Sequence, residues 1–208
     1  MYNSGMVILQ LALLLLLAGC SAWAEEWTYW IDPCTPEAEK ATACKPGDPE
    51  LGKWALEAWA RESGGGITFR ASPTEAHARL RIHWANGQGS LYGEAVPVEV
   101  DGQRGADIYV LPDTRMLGRE IATATRTDEM LRDTVVYLTC LHETGHGIGF
   151  AHTAAFADIM YSFRFGGDIN EYFGRYRRSL KKRGDIATRA GISEADRAVL
   201  KARYPAKE

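Results

Sequence analysis

The stretch His142 to His152 reads HETGHGIGFAH, and its reading decides the fold of this 208-residue chain. It closes the longest helical pattern in the sequence, Thr127 to Ile148, in which Leu131, Val135, Leu138 and His142 fall on one stripe. Two histidines four residues apart share a helix face, so His142 and His146 both reach one metal ion. Glu143 is offset by roughly 100° around the helix, placed to take a proton from a water at that ion without ligating it. Gly149 lets the backbone leave the helix at positive φ, and the turn brings His152 back as a third ligand. Three neutral imidazoles suit Zn²⁺ at ~2.0–2.1 Å and leave a fourth position open, the pattern of a catalytic zinc rather than a structural one. These five residues at these spacings arise by chance in on the order of 2 in 100,000 chains of this length and composition.

Outward from that motif, the N-terminus reads as a targeting segment. Met6 to Ala18 (MVILQLALLLLLA) is an apolar run broken only by Gln10. As a helix it spans roughly 20 Å, short of the ~30 Å hydrocarbon core of a bilayer, and it fits the apolar region of a secretory signal. No Lys or Arg precedes Lys40. Two cleavage readings stay open. Leu17-Ala18-Gly19-Cys20 resembles a bacterial lipobox, which makes residues 1–19 the signal and Cys20 a lipidated first residue. Ala22-Trp23-Ala24 is an A-x-A site, whose use releases a soluble protein from Glu25. Either way the chain is expected to be exported, membrane-anchored through Cys20 or free in the periplasm or medium. Export permits disulfides, and Cys34 and Cys44 close a short polar loop that reads as one bridge. Cys140, in an apolar helical stretch, reads as a buried thiol.

Residues 20–208 read as one domain. Trp27–Ile31 is aromatic and β-branched, hence a strand. Residues 49–63 place Leu51, Ala55, Ala58 and Trp59 at helical spacing, and Gly64 to Gly66 stop the helix; Trp54 and Trp59 are expected in the core. Ile67–Phe69 is a short strand. Leu80, Ile82 and Trp84 alternate with Arg81 and His83. Val96–Val100 and Ala106–Leu111 flank Asp101-Gly102 as a hairpin. Ser193 and Asp196 open a last helix over 193–203 with a capping box. The net charge of −3 excludes the chain as a whole from nucleic-acid binding. The charge is uneven: residues 161–208 carry 12 basic and 6 acidic side chains, the rest 12 and 21. Residues 171–183 (EYFGRYRRSLKKR) read as a basic amphipathic helix. It is expected to steer acidic substrates toward the cleft, with an anionic membrane surface as the rival partner.

The zinc motif followed by Asp158-Ile159-Met160-Tyr161 resembles the metzincin proteases, at matrixin-like spacing, with Met160 as a methionine turn beneath the zinc. The likeness runs along nearly all of residues 20–208. Trp27–Ile31, Ile67–Phe69, Arg79–Trp84 and Ala106–Leu111 are similar to matrixin strands, Leu91–Val98 to the substrate-binding edge strand, and Ile192–Asp196 with Tyr204 to the final helix. The resemblance implies an α/β metzincin fold: a twisted, mostly parallel five-stranded sheet with an active-site helix, a backing helix and a C-terminal helix. It implies a monomeric zinc-dependent metalloendopeptidase with one catalytic Zn²⁺ on His142, His146 and His152 and with Glu143 as general base. Its partner would be a protein or peptide substrate. The alternative is a surface-anchored binding lipoprotein that keeps the zinc scaffold and cleaves nothing, for which Glu143 is dispensable.

The departures from the family matter too. Only His77 and His83 remain beyond the motif, so the family's second, three-histidine zinc is not expected. No pro-segment with a cysteine switch is expected either, and Ala195 stands where the family's Asp binds a freed N-terminus. Asp196 remains to hold the methionine turn. Ser162 and Arg164 replace a Pro and a Tyr of the primed-side wall, so the pocket there is expected to differ in shape. Tyr161 follows Met160 directly, one residue too early for the zinc-binding tyrosine of related families. Calcium is common in the family, but the scattered Asp residues support no assignment.

Overall fold

The computed structural model of the protein describes residues 24–86 and 92–206. The apolar run Met6–Ala18, Cys20 and Leu91 lie outside the described residues. Five strands form one sheet: β1 Glu25–Ile31, β2 Ile67–Ala71, β3 Leu80–Trp84, β4 Gly93–Val100 and β5 Gln103–Val110, in the order β2-β1-β3-β5-β4. All neighbours are parallel except β4, which runs antiparallel to β5 at the sheet edge. The hairpin between them turns on Asp101 and Gly102 at φ 51° and 73°, the left-handed pair that a two-residue turn requires. In β3 the expected alternation holds: Leu80, Ile82 and Trp84 are buried, while Arg81 and His83 lie on the other face.

Among the described residues there are six α-helices: α1 Pro36–Thr42, α2 Asp48–Ser63, α3 Arg119–Thr127, α4 Glu129–Gly147, α5 Ile169–Arg178 and α6 Glu194–Arg203. The backing helix α2 and the long α4 pack together over the sheet. Trp59 locks the pair: its ring is fully buried and its Nε1–H donates to Leu141 O at 3.0 Å and to Thr144 Oγ1 at 3.1 Å. Trp54, on the next face, is only half-buried, with the Arg183 guanidinium 4.9 Å over its ring. Cys34 and Cys44 form a disulfide, and Cys140 is a buried free thiol.

Three sequence expectations need correction. The helix expected over Thr127–Ile148 starts at Glu129. Asp128 turns out of helical geometry and its side chain accepts from Leu131 N–H, which separates α3 from α4. The loop between the cysteines holds α1, opened by Thr35 and Pro36 and closed by Ala43 at φ 60°. The basic helix expected over 171–183 is α5, ending at Arg178, with a 3₁₀ turn over Arg183–Ala187 beyond it. Its cations are largely committed. Arg177 pairs with Asp128 at 2.8 Å, Arg183 with Asp133 at 2.8 Å and with Glu50, and Arg178 with Glu171 at 2.5 Å. Arg175 donates to the carbonyls of Phe156 and Ala157 at 2.5 and 3.2 Å. Arg175 thus holds the loop after His152, Arg177 and Arg183 tie the segment to the start of α4 and to α2, and Lys181 and Lys182 stay exposed.

Candidate metal centre

The C-terminal turns of α4 carry His142, Glu143 and His146. Gly149, at φ 102°, ends the helix: its N–H donates to His146 O and that of Phe150 to Gly145 O, both at 2.9 Å, the paired bonds of a Schellman turn. A side chain at Gly149 would be strained there whatever the space. The chain then returns His152 to the helix. His152 Nε2 lies 3.2 Å from His142 Nε2 and 3.1 Å from His146 Nε2. Among the described residues, these three form the one group of His, Cys, Asp or Glu side chains with ligand atoms close enough to share a metal, all within 4.8 Å.

The tautomers follow from the outer hydrogen bonds. His142 Nδ1–H donates to Ile159 O at 2.6 Å, and His146 Nδ1–H donates to Phe150 O at 2.8 Å. Both Nε2 atoms therefore point lone pairs at the same space. His152 has at most one proton at Nε2, enough for one neighbour. Burial pushes the His142 pKa down to about 3, and it lowers those of His146 and His152, so the neutral, metal-binding imidazole is favoured. Three facing nitrogens with at most one proton among them fit a cation between them. Ligand atoms on a tetrahedral zinc at ~2.0–2.1 Å lie roughly 3.3–3.4 Å apart, close to the spacing here.

Met160 is fully buried against α4, where a Cβ built on Gly145, between His142 and His146 in sequence, would lie 2.5 Å from its Sδ. The turn that carries Met160 is held from α6 and α5. Ile159 N–H donates to Asp196 Oδ2 at 2.6 Å, and Asp158 Oδ1 accepts from Ser193 Oγ at 2.7 Å. Tyr172 of α5 donates to the carbonyls of Asp158 and Ile159 at 3.0 and 3.1 Å. The Ile159 peptide thus links the α6 cap to the His142 ring, so packing far from the cleft sets the direction of a ligand nitrogen. Tyr161 donates to Gly166 O at 2.6 Å.

A cleft of about 750 Å³ opens above the histidines, between β4 and residues 162–164. Glu143 is 4 % exposed in its wall, and burial, with the Glu94 charge added, pushes its carboxyl up to about 8. Gly93 backs it: a Cβ there would stand 2.7 Å from Glu143 Cγ and Oε1. The disulfide is elsewhere, tied to the other end of α4 by Arg132 Nη2–H donating to Ala43 O at 3.3 Å. His77 lies exposed near Asp101, and His83 sits between Asp32 and Asp107 at 3.0 and 3.8 Å. Sequence reasoning named the three histidines, Glu143, Met160 and Asp196. It set Tyr92 and Gly93 within the expected substrate-binding edge strand without a role for either, and Tyr172 reads as one residue of an amphipathic face.

Comparison with protein-family models and with curated proteins gives no match for this chain, so the reading of the centre rests on its own geometry.

Proposed function

We propose that the protein is a matrixin-like zinc endopeptidase that cleaves protein or peptide substrates after export. The observation that carries this reading is the convergence of three imidazole nitrogens with at most one proton among them, beside a buried carboxylic acid in an open cleft. His142, His146 and His152 would hold the metal. When bound, Zn²⁺ would supply Lewis acidity to a carbonyl and to water, and a cation beside Glu143 would favour its carboxylate form. Glu143 takes the proton of the attacking water and delivers it to the departing amine, the two halves of general base and general acid work. The edge of β4 offers backbone donors and acceptors on which an extended peptide lies as one more strand. Lipid anchoring through Cys20 belongs to the same proposal; a mature N-terminus at Glu25, read by mass spectrometry, would refute it.

The test is a peptide library incubated with the zinc-loaded protein, with and without a chelator, beside Glu143→Ala. Cleavage is expected only in the zinc-loaded wild type, and Glu143→Ala is expected to keep its metal while losing at least about a hundredfold in rate. Cleavage by Glu143→Ala at the wild-type rate would overturn the mechanism. Zinc binding with no cleavage of any peptide would leave the binding lipoprotein.

A further inference from the structure

The cleft has two rims. One is the start of β4, Tyr92 to Pro97; the other is the chain after the methionine turn, Ser162 to Arg164. Rings from opposite rims meet. Tyr92 and Phe163 stand edge to face, centroids 5.9 Å apart at 84°. Phe173 of α5 closes on Tyr92 from behind at 6.3 Å, and Tyr172 meets Phe163 at 5.1 Å. Rings with centroids about 4.5–7 Å apart are in packing contact, so these pairs narrow that end of the cleft. Tyr92 immediately precedes Gly93, whose missing Cβ makes room for Glu143, so this aromatic block adjoins the catalytic carboxyl.

Glu143 delivers its proton to the departing amine, so the residue bearing that amine is the one beside the block. Resting on the proteolytic reading for this direction, we propose that Tyr92 and Phe163 fill the recess for the residue after the scissile bond and restrict it to Gly, Ala or Ser. An isobutyl or benzyl side chain has either to push the packed rings apart or to remain in water. Phe163 stands between Ser162 and Arg164, the two positions where the sequence departs from the family's wall.

The experiment is calorimetric binding of succinyl hydroxamates to the zinc-loaded protein. Each carries hydrogen, methyl, isobutyl or benzyl on the carbon that stands in for the residue after the scissile bond. The wild type is expected to bind the hydrogen and methyl compounds at least about tenfold more tightly than the other two, the discrimination a closed apolar wall gives. Phe163→Ala and Tyr92→Ala, each checked for native circular dichroism, are expected to gain at least about tenfold for the isobutyl compound, since either truncation opens the recess. Equal or tighter wild-type binding of the bulky compounds overturns the proposal. So does an unchanged preference in both variants, or no binding of any compound to zinc-loaded protein. The expected preference without cleavage of any peptide upholds the filled recess and removes the proteolytic reading. Efficient cleavage before Leu or Phe does the reverse.

Discussion

At the N-terminal end of α4, Arg132 and Asp133 are each 5 % exposed, and Asp48 of α2 is 1 % exposed. Every charge there has a partner. Arg132 pairs with both Asp48 oxygens and donates to Ala43 O, and Arg183 reaches Asp133 at 2.8 Å. At the C-terminal end of the same helix, His142 and Glu143 are just as buried, at 5 % and 4 %. Their working atoms face a cleft and other lone pairs instead of donors. A buried polar cluster that satisfies itself ties elements together. One whose ring nitrogens and carboxyl face a cleft without protein partners is left open to an added cation and ligand, at a cost that packing elsewhere offsets.

Substitutions at the two ends should therefore fail differently. Asp48→Ala strands a buried guanidinium and is expected to cost about 3–5 kcal/mol in denaturant unfolding, with zinc affinity per folded molecule unchanged. A large loss of zinc affinity in that variant would mean that the two ends are not independent. Asp196→Asn sharpens the contrast, because it weakens the support of the Ile159 peptide without touching a ligand. Zinc affinity is expected to fall about 10–100-fold, the usual effect of losing an outer-shell partner. Unchanged affinity would make the methionine turn a packing feature alone.

The smallest effect lies on the open face of the sheet, where His83 bonds Asp32 at 3.0 Å. That hydrogen bond, aided by the charges of Asp32 and Asp107, raises the His83 pKa above its ordinary 6.5 against the opposing pull of burial. The raised value means that the stabilisation is fully present below the unfolded-state pKa and is lost as pH rises through the folded-state one. Asp32→Asn is thus expected to cost no more than about 1 kcal/mol near pH 5.5 and nothing at about pH 8.5, in paired unfolding curves. A cost that grows with pH would reverse the assignment.

The elements legible in the sequence are those whose period matches their burial. Leu80, Ile82 and Trp84 announce β3, Asp101-Gly102 its hairpin neighbour, and Ser193 with Asp196 the start of α6. Short or weakly apolar elements were not legible. Helix α1 buries no side chain, and α3 buries only Ile121, Ala122 and Thr125, a single short turn of one face that is too brief to stand out in the sequence. At the site, the ligands could be read because metal binding fixes residue type and spacing together. The shape of the recess could not, because Tyr92 and Phe163 are 71 positions apart and meet only through the fold.

The central claim is that the open end of α4 holds one metal ion, and titration of zinc against a chromophoric chelator tests it most directly. Wild type and Glu143→Ala are each expected to take up one zinc per chain, and His142→Ala none that competes with the chelator. The apo form of His142→Ala should remain folded and be about 1–3 kcal/mol less stable than apo wild type, because it loses the hydrogen bond to Ile159 O and the packing of a buried ring. Equal zinc uptake by wild type and by a chain with all three histidines replaced by alanine would contradict the account.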